Sequence, residues 1–286
     1  MRIAILADIH GNLPALEAVL TDVQAQAPDA VYLAGDQINR CPWNNQVLDL
    51  LDSLGWPAIY GNHELVIGRL NTNVNPPPFT DRTRFIDLWW TQEQLYAHHL
   101  AAIRSLPAER TLHFAGTAPI RLLHGIPGNP FIGLLAEMSD QTIGDLLAPV
   151  CEPVIVCAHT HRPLVRKVDR WQVFNGGSVG ASYNGDPRAH YLLLDALNGN
   201  WQPTFRRVDY DHSVIPVAFR TSGLLDALGR LGDLHLRTVL DGNPWSSDFG
   251  YWMRTQPPTL HDDLDSAVAA YLQQHGPGHW AFDMAE

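Results

Sequence analysis

The sequence predicts an α/β protein built on a parallel sheet with helices on its faces. Two observations carry that expectation. Short apolar runs alternate with helix-periodic segments in the order βαβαβ. The runs also stop abruptly at polar residues, and in open α/β sheets ligands bind where strands end in this way.

The elements follow in order. Ile3 to Ala7 is an apolar run that reads as a buried strand. It ends at Asp8-x-His10, whose side chains period-2 alternation puts on one side of the backbone. After the Gly11-Asn12 turn, Leu13 to Gln26 carries Leu13, Leu16, Val19, Leu20 and Val23 at helical spacing, with Asn12 as N-cap and Pro14 tolerated in the first turn. Ala30 to Ala34 is a second strand and ends at Gly35-Asp36. Asn44 to Leu54 is a second helix with Gly55 as its C-cap. Trp56 to Tyr60 reads as a third strand, ending at Gly61-Asn62-His63-Glu64.

Residues 68–118 break the pattern. Pro76-Pro77-Pro78 is a stiff extended interruption. Residues 82–105 are helix-rich and carry Trp89, Trp90, His98 and His99, which suggests an insertion over one edge of the core. Ile120 to Leu123 then ends at His124-Gly125, and Pro153 to Ala158 ends at His159-Thr160-His161. Val173-Phe174 leads into the glycine-rich turn Asn175-Gly176-Gly177-Ser178-Val179-Gly180. Tyr191 to Leu194 is a further strand, and the pattern weakens after Trp201. Val214 to Leu231 and Asp262 to His275 read as helices, the second with acids at its start and His275-Gly276 at its end. The chain is read as one domain over residues 1–286, with a core at 1–67 and 119–210, the insertion at 68–118 and a helical C-terminal extension at 211–286.

A chain of 286 residues buries a sizeable core without difficulty. Its hydrophobic content of 45% and charged content of 17% are those of a globular protein. The net charge of −11 repels nucleic-acid backbones and anionic membranes, so long nucleic acid and membrane are poor partners. Three cysteines without CxxC spacing form no disulfide framework and suggest a reducing compartment. The chain enters a core strand at once, so no signal peptide is expected, and no apolar run reaches membrane-spanning length. Cytoplasm is the default location.

The strand-end polar groups are Asp8, His10, Asp36, Asn62, His63, His124, His159 and His161. Parallel strands deliver them to one rim. Two carboxylates, one amide and several imidazoles make a mixed nitrogen and oxygen donor set, suited to Mn, Fe, Zn, Co or Ni rather than to an all-oxygen Mg or Ca cage. They outnumber the four or so donors of one tetrahedral ion, which argues for two ions.

Asp8-x-His10, Gly35-Asp36, Gly61-Asn62-His63-Glu64, His124-Gly125 and His159-x-His161 together resemble the calcineurin-like metallophosphoesterases, in order and in placement. The segment 175–180 and Arg206-Arg207-Val208-Asp209-Tyr210-Asp211 resemble the bacterial phosphodiesterase-like branch. The resemblance covers about residues 1–67 and 119–240 and is poor elsewhere. It implies a four-layer α/β/β/α sandwich. It also implies that Asp8, His10, Asp36 and His161 hold one divalent ion and Asn62, His124 and His159 a second, with Asp36 bridging. Manganese is the first choice, with Fe, Zn, Ni or Co compatible. A metal-bridging hydroxide would attack phosphorus in line, and His63, not a ligand in the family, would stabilise or protonate the leaving oxygen. Glu64 is expected to help set up His63.

Gly35-Asp36-Gln37-Ile38-Asn39-Arg40 is similar to the GDxxxR segment of diadenosine tetraphosphatases and Ser/Thr protein phosphatases, which makes Arg40 a substrate-binding residue. Asn39 stands where protein phosphatases place an acid behind the catalytic histidine. Cys157-Ala158 replaces the family's usual glycine before His159, and Gly176 its usual proline.

The implied activity is that of a phosphodiesterase acting on a small phosphorylated molecule. Diadenosine polyphosphate hydrolase and protein phosphatase-like phosphomonoesterase are the alternatives, and a metal-holding scaffold without catalysis is the reading from another class. The remaining residues take plainer roles. His98, His99, His190, His212 and His235 read as surface or core histidines. Trp89, Trp90, Trp245, Trp252 and Trp280 read as packing anchors, and Cys157 as a buried filler. The Trp-rich tail also offers a surface for a homo-oligomer.

Overall fold

The strand-end pattern is realised in two sheets packed face to face. The structure, a computed structural model, describes residues 1–75 and 78–275. Pro76, Pro77, Gly276 and Trp280 lie outside these. In chain order the elements are β1 (Arg2–Leu6), α1 (Leu13–Gln26), β2 (Ala30–Leu33), α2 (Asn44–Leu54), α3 (Asn62–Arg69), α4 (Ile86–Gln94) and α5 (Ala97–Ser105). Then come β3 (Glu109–Leu112), β4 (Ile120–Leu123), α6 (Asp140–Leu147), β5 (Val154–Cys157), β6 (Leu164–Val168), β7 (Trp171–Asn175), β8 (Ala189–Leu197) and β9 (Asn200–Val208). The described residues continue through α7 (Ile215–Thr221), α8 (Leu224–Leu228), α9 (Arg230–Asp241), α10 (Trp245–Met253) and α11 (Leu264–Gln274).

One sheet runs β2-β1-β8-β9 and the other β3-β4-β5-β7-β6. Ile3, Ile5, Leu192 and Leu194 of the first meet Leu122, Val154, Val156 and Phe174 of the second in a core between them. Ala4, Leu6 and Leu193 face α1 and α2 on one outer side. Ile155 and Val173 face Ile143 and Leu147 of α6 on the other. This is the expected α/β/β/α layering.

Four details differ from the expectation. The sheets are mixed rather than parallel: β1–β2 and β4–β5–β7 are parallel, whereas β3, β6, β8 and β9 join antiparallel. Tight hairpins join β6 to β7 and β8 to β9, the latter around Asn198-Gly199, both at positive φ. Trp56–Tyr60 forms only an isolated parallel bridge, Ala58 to Leu33, because Pro57 has no N–H for a ladder. Asn62 and His63 therefore open helix α3 instead of simply ending a strand. The predicted helix over 214–231 is cut into short pieces at Gly223 and Gly229, both at positive φ.

Trp245, Trp252 and Phe249 are buried with Phe219, Leu234 and Tyr271 in a helical core of the extension, and Trp89 is buried with Ile38, Val66 and Ile67. Trp89, Trp245 and Trp252 are thus packing anchors. Cys157 is buried as expected, and among the described residues no helix is long and apolar enough to cross a membrane.

The glycine-rich turn buttresses the end of β1. Gly180 N–H and Ser178 Oγ–H donate to Asp8 O (3.0 and 2.7 Å), and Val179 N–H to Ala7 O (3.0 Å). A Cβ on Gly180 would stand 1.8 Å from Ile9 O. Gly180→Ala must push the backbone of the Asp8–His10 segment aside, at a cost of roughly 1–3 kcal/mol or more. The expected result in a thermal melt is a lowered Tm together with weaker metal uptake; a Tm equal to wild type would show that the turn gives way freely.

Candidate metal and phosphoester site

Four loops meet at the rim. The loops after β1 and β2 are zipped by Asp8 N–H to Gly35 O (3.0 Å) and His10 N–H to Asp36 O (3.0 Å). His159 N–H donates to Asp8 Oδ2 (3.2 Å), which ties the second sheet to the first. Asp8, His10, Asp36, His159 and His161 all have positive φ, between 51° and 66°. That conformation costs a non-glycine residue on the order of 1–3 kcal/mol, and it is typical of functional sites. Asp and His tolerate it better than most residues.

Glu64, on the first turn of α3, holds the loop after β2. Its carboxylate accepts from the N–H groups of Asp36 (2.8 Å), Gln37 (2.7 Å), Ile38 (3.3 Å) and Gly61 (2.8 Å). It therefore fixes the backbone that carries Asp36, and its expected part in setting up His63 is indirect. Gly61 is required beside it: a Cβ there would stand 2.1 Å from Asp36 Oδ1.

The structure brings all the named polar side chains together. Asp8, His10, Asp36 and His161 offer donor atoms within 4.8 Å of one another, and Asp36, His124 and His159 form a second such group. Asp36 belongs to both. Asn62 Oδ1 lies 3.1 Å from His124 Nε2 and 2.8 Å from His159 Nδ1, so it joins the second group.

The donors fit cations. Nδ1 of His10, His124 and His161 each faces a backbone carbonyl, of Ile38 (3.2 Å), Ala34 (2.8 Å) and Ala181. A neutral ring that donates Nδ1–H turns its Nε2 lone pair inward. His10 Nε2 and His161 Nε2 then confront each other at 3.1 Å. Asp8 Oδ1, fully buried, has no hydrogen-bond partner and faces His161 Nε2 (3.4 Å) and His124 Nε2 (4.0 Å). Lone pairs converging on buried carboxylates need positive charge between them, as a divalent metal centre provides.

Electrostatics agree. Burial, with Arg40 nearby, holds the pKa of His10 and His161 well below the usual histidine value, and burial pushes His159 down to about 3. Burial raises Asp8, whereas for Asp36 burial is outweighed by His124, His63 and His10 and the pKa falls. For His124, burial is outweighed by Asp36 and Asp8, which raise it to about 10. The two carboxylates that raise His124 are the groups that would favour a bound cation here.

His63 N–H donates to Asp36 Oδ1 (2.9 Å), and its Nε2 lies 3.8 Å from Asp36 Oδ2. It stands beside the cluster, at the wall of a cavity of about 540 Å³ that opens over it. Arg40 lines the same cavity, donates to Ser246 Oγ (2.8 Å), lies over Tyr183 (5.7 Å) and leaves Nε unpartnered. Tyr183 in turn stacks on His161 at 4.0 Å.

The sequence points to residues 68–118 and 241–286 as lining or capping the cleft, but singles out none of the cavity residues they supply. Phe79, Arg84 and Asp87 line it from the insertion, and His235, Tyr251 and Arg254 from the C-terminal helices. His235, read as an ordinary core or surface histidine, is buried in the cavity wall, 3.8 Å from Asp87. No signal within 68–118 or 211–286 singles these residues out; only their convergence does. His98 and His99 lie away from it, beside Asp49.

A model of the calcineurin-like phosphoesterase superfamily domain matches residues 1–199. Among curated proteins, the chain is 26% identical over 229 residues to an uncharacterised protein of Methanocaldococcus jannaschii, covering 73% of this chain and 88% of that one. It is 27% identical over 205 residues to the phosphodiesterase YfcE of Escherichia coli, covering 68% and 88%. Among solved structures, a metallophosphoesterase from Sphaerobacter thermophilus shares 28% identity with a TM-score of 0.66, over 85% of this chain and 99% of that one. Protein PH1004 of Pyrococcus horikoshii shares the fold, with a TM-score of 0.72 at 22% identity over 85% and 98%.

Proposed function

The chain belongs to the calcineurin-like phosphoesterase superfamily, metal-dependent phosphoester hydrolases, and on that premise we propose that it is a two-ion phosphodiesterase of small molecules. One observation carries the reading: two donor groups sharing Asp36 lie at the floor of a cavity of about 540 Å³. Asp8, His10, Asp36 and His161 would hold one ion; Asn62, His124 and His159, with Asp36 shared, the other. When bound, such ions supply positive charge to phosphate oxygens and acidify water to near neutrality. The chain's own side chains do the rest. The Arg40 guanidinium, which lines the cavity, binds a phosphate oxygen. His63 Nε2 serves the leaving oxygen. Residues of the insertion and of the extension wall the cavity, so a small substrate fits and a folded protein surface does not.

The diester preference draws on the likeness to a phosphodiesterase. A second reading is favoured by charge: Arg40, Arg84 and Arg254 line one cavity in a chain of net charge −11. Such a wall suits a dinucleoside polyphosphate. A substrate panel on metal-reconstituted protein separates these, with simple diesters, monoesters, dinucleoside polyphosphates, cyclic nucleotides and a phosphopeptide side by side. The diester should give the highest kcat/KM; a leading phosphopeptide would overturn the proposal. Arg40→Ala should raise KM roughly tenfold on the best substrate with metal content unchanged, the loss of one charge-assisted contact. An unchanged KM would return Arg40 to a structural role. Manganese as the working ion, a cytoplasmic setting and self-association through residues 211–286 belong to the same reading. Metal analysis of the purified protein and its mass in solution read the first and last of these.

A further inference from the structure

Behind His63 stands an amide, not an acid, and its orientation is fixed from the insertion. Asn39 Nδ2 lies 2.8 Å from His63 Nδ1 and 2.9 Å from Asp87 Oδ2. Thr91 Oγ–H donates to Asn39 Oδ1 at 2.7 Å. A carboxylate only accepts, so the amide must turn its NH₂ to Asp87 and its oxygen to Thr91. The second N–H of that NH₂ then points at His63 Nδ1, which must accept. A neutral imidazole with an accepting Nδ1 carries its proton on Nε2. That nitrogen faces the metal cluster, 3.8 Å from Asp36 Oδ2.

We propose that Asn39, Asp87 and Thr91 are positioning residues that lock His63 as the neutral Nε2–H tautomer, so that it meets the leaving oxygen as a hydrogen-bond donor without first becoming imidazolium. The inference rests on the phosphoesterase reading above. Asp87 and Thr91 are four residues apart on α4 and present one face to Asn39. Asn39 is buried, and its φ of 75° is one that Asn tolerates. An acid at this position would demand the opposite tautomer, with Nδ1–H donating, and would repel Asp87. The insertion therefore does more than cover the cleft: it chooses which nitrogen of the histidine carries the proton.

Two readouts test this. The first is ¹⁵N NMR of histidine-labelled, zinc-reconstituted protein, with the His63 signals identified by their loss in His63→Ala. A bare Nδ1 and a protonated Nε2 are expected; a protonated Nδ1 would overturn the proposal. This readout does not need turnover, so it stands apart from failure of the functional reading. The second is leaving-group dependence. Thr91→Val removes the donor that holds the amide and lets it rotate. It should lower kcat about tenfold on an alkyl diester, whose leaving oxygen builds up more negative charge and depends more on a donated hydrogen bond, and little on a p-nitrophenyl diester. KM should stay constant, and Thr91→Ser, which keeps the hydroxyl, should restore the wild-type profile. Equal losses on both esters, or no restoration by Ser, would make the network merely structural.

Discussion

Asp36→Asn is expected to remove bound metal and hydrolysis together. Asp36 belongs to both donor groups, and His124, His10 and His63 all lie within 4.0 Å of its Oδ2. The substitution deletes a negative charge shared by both donor groups and puts an NH₂ among inward lone pairs. His161→Ala should behave alike, because it takes one imidazole from the group that holds Asp8 and His10. Two-ion catalysis supplies several kcal/mol, so about a thousandfold or more should be lost from kcat/KM. Elemental analysis after gel filtration reads the metal and a diester assay the rate. Full metal content with lost activity would mean that Asp36 and His161 are not ligands.

His63→Ala should separate the two properties. His63 is adjacent to Asn62 in sequence and close to Asp36, yet its Nδ1 is taken up by Asn39. The variant should keep its metal and lose about 10²- to 10³-fold in kcat, the usual worth of a positioned donor at a developing oxyanion. If it strips the metal instead, His63 is a ligand and its assigned role is wrong.

The framework that carries the candidate donors is legible in the sequence because both its signals are local. Apolar runs mark β1, β2, β4 and β5, and chemistry-specific residue types mark their ends. What was illegible depends on partners far along the chain. β6 alternates exposed and half-buried residues, including Lys167 and an exposed Val165, and so lacks an apolar run. β9 carries Arg206 and Arg207 on an edge. Its hairpin did have a signal, Asn198-Gly199, which the weak pattern after Trp201 obscured. In the site, Asp87 meets Asn39 from 48 residues away, and His235 arrives from the C-terminal helices. Asp, Thr and His in amphipathic helices are ordinary residues until packing aims them. Glu64 was visible as a residue but not as the acceptor for four backbone N–H groups.

Whether the protein is a two-ion phosphoesterase is decided by counting ions and turnovers on the same sample. Protein stripped with chelator and reloaded with manganese or nickel should bind two ions per chain and hydrolyse a phosphodiester in proportion to the second. Two bound ions with no turnover on any phosphoester would make this chain a metal-holding scaffold and not an enzyme.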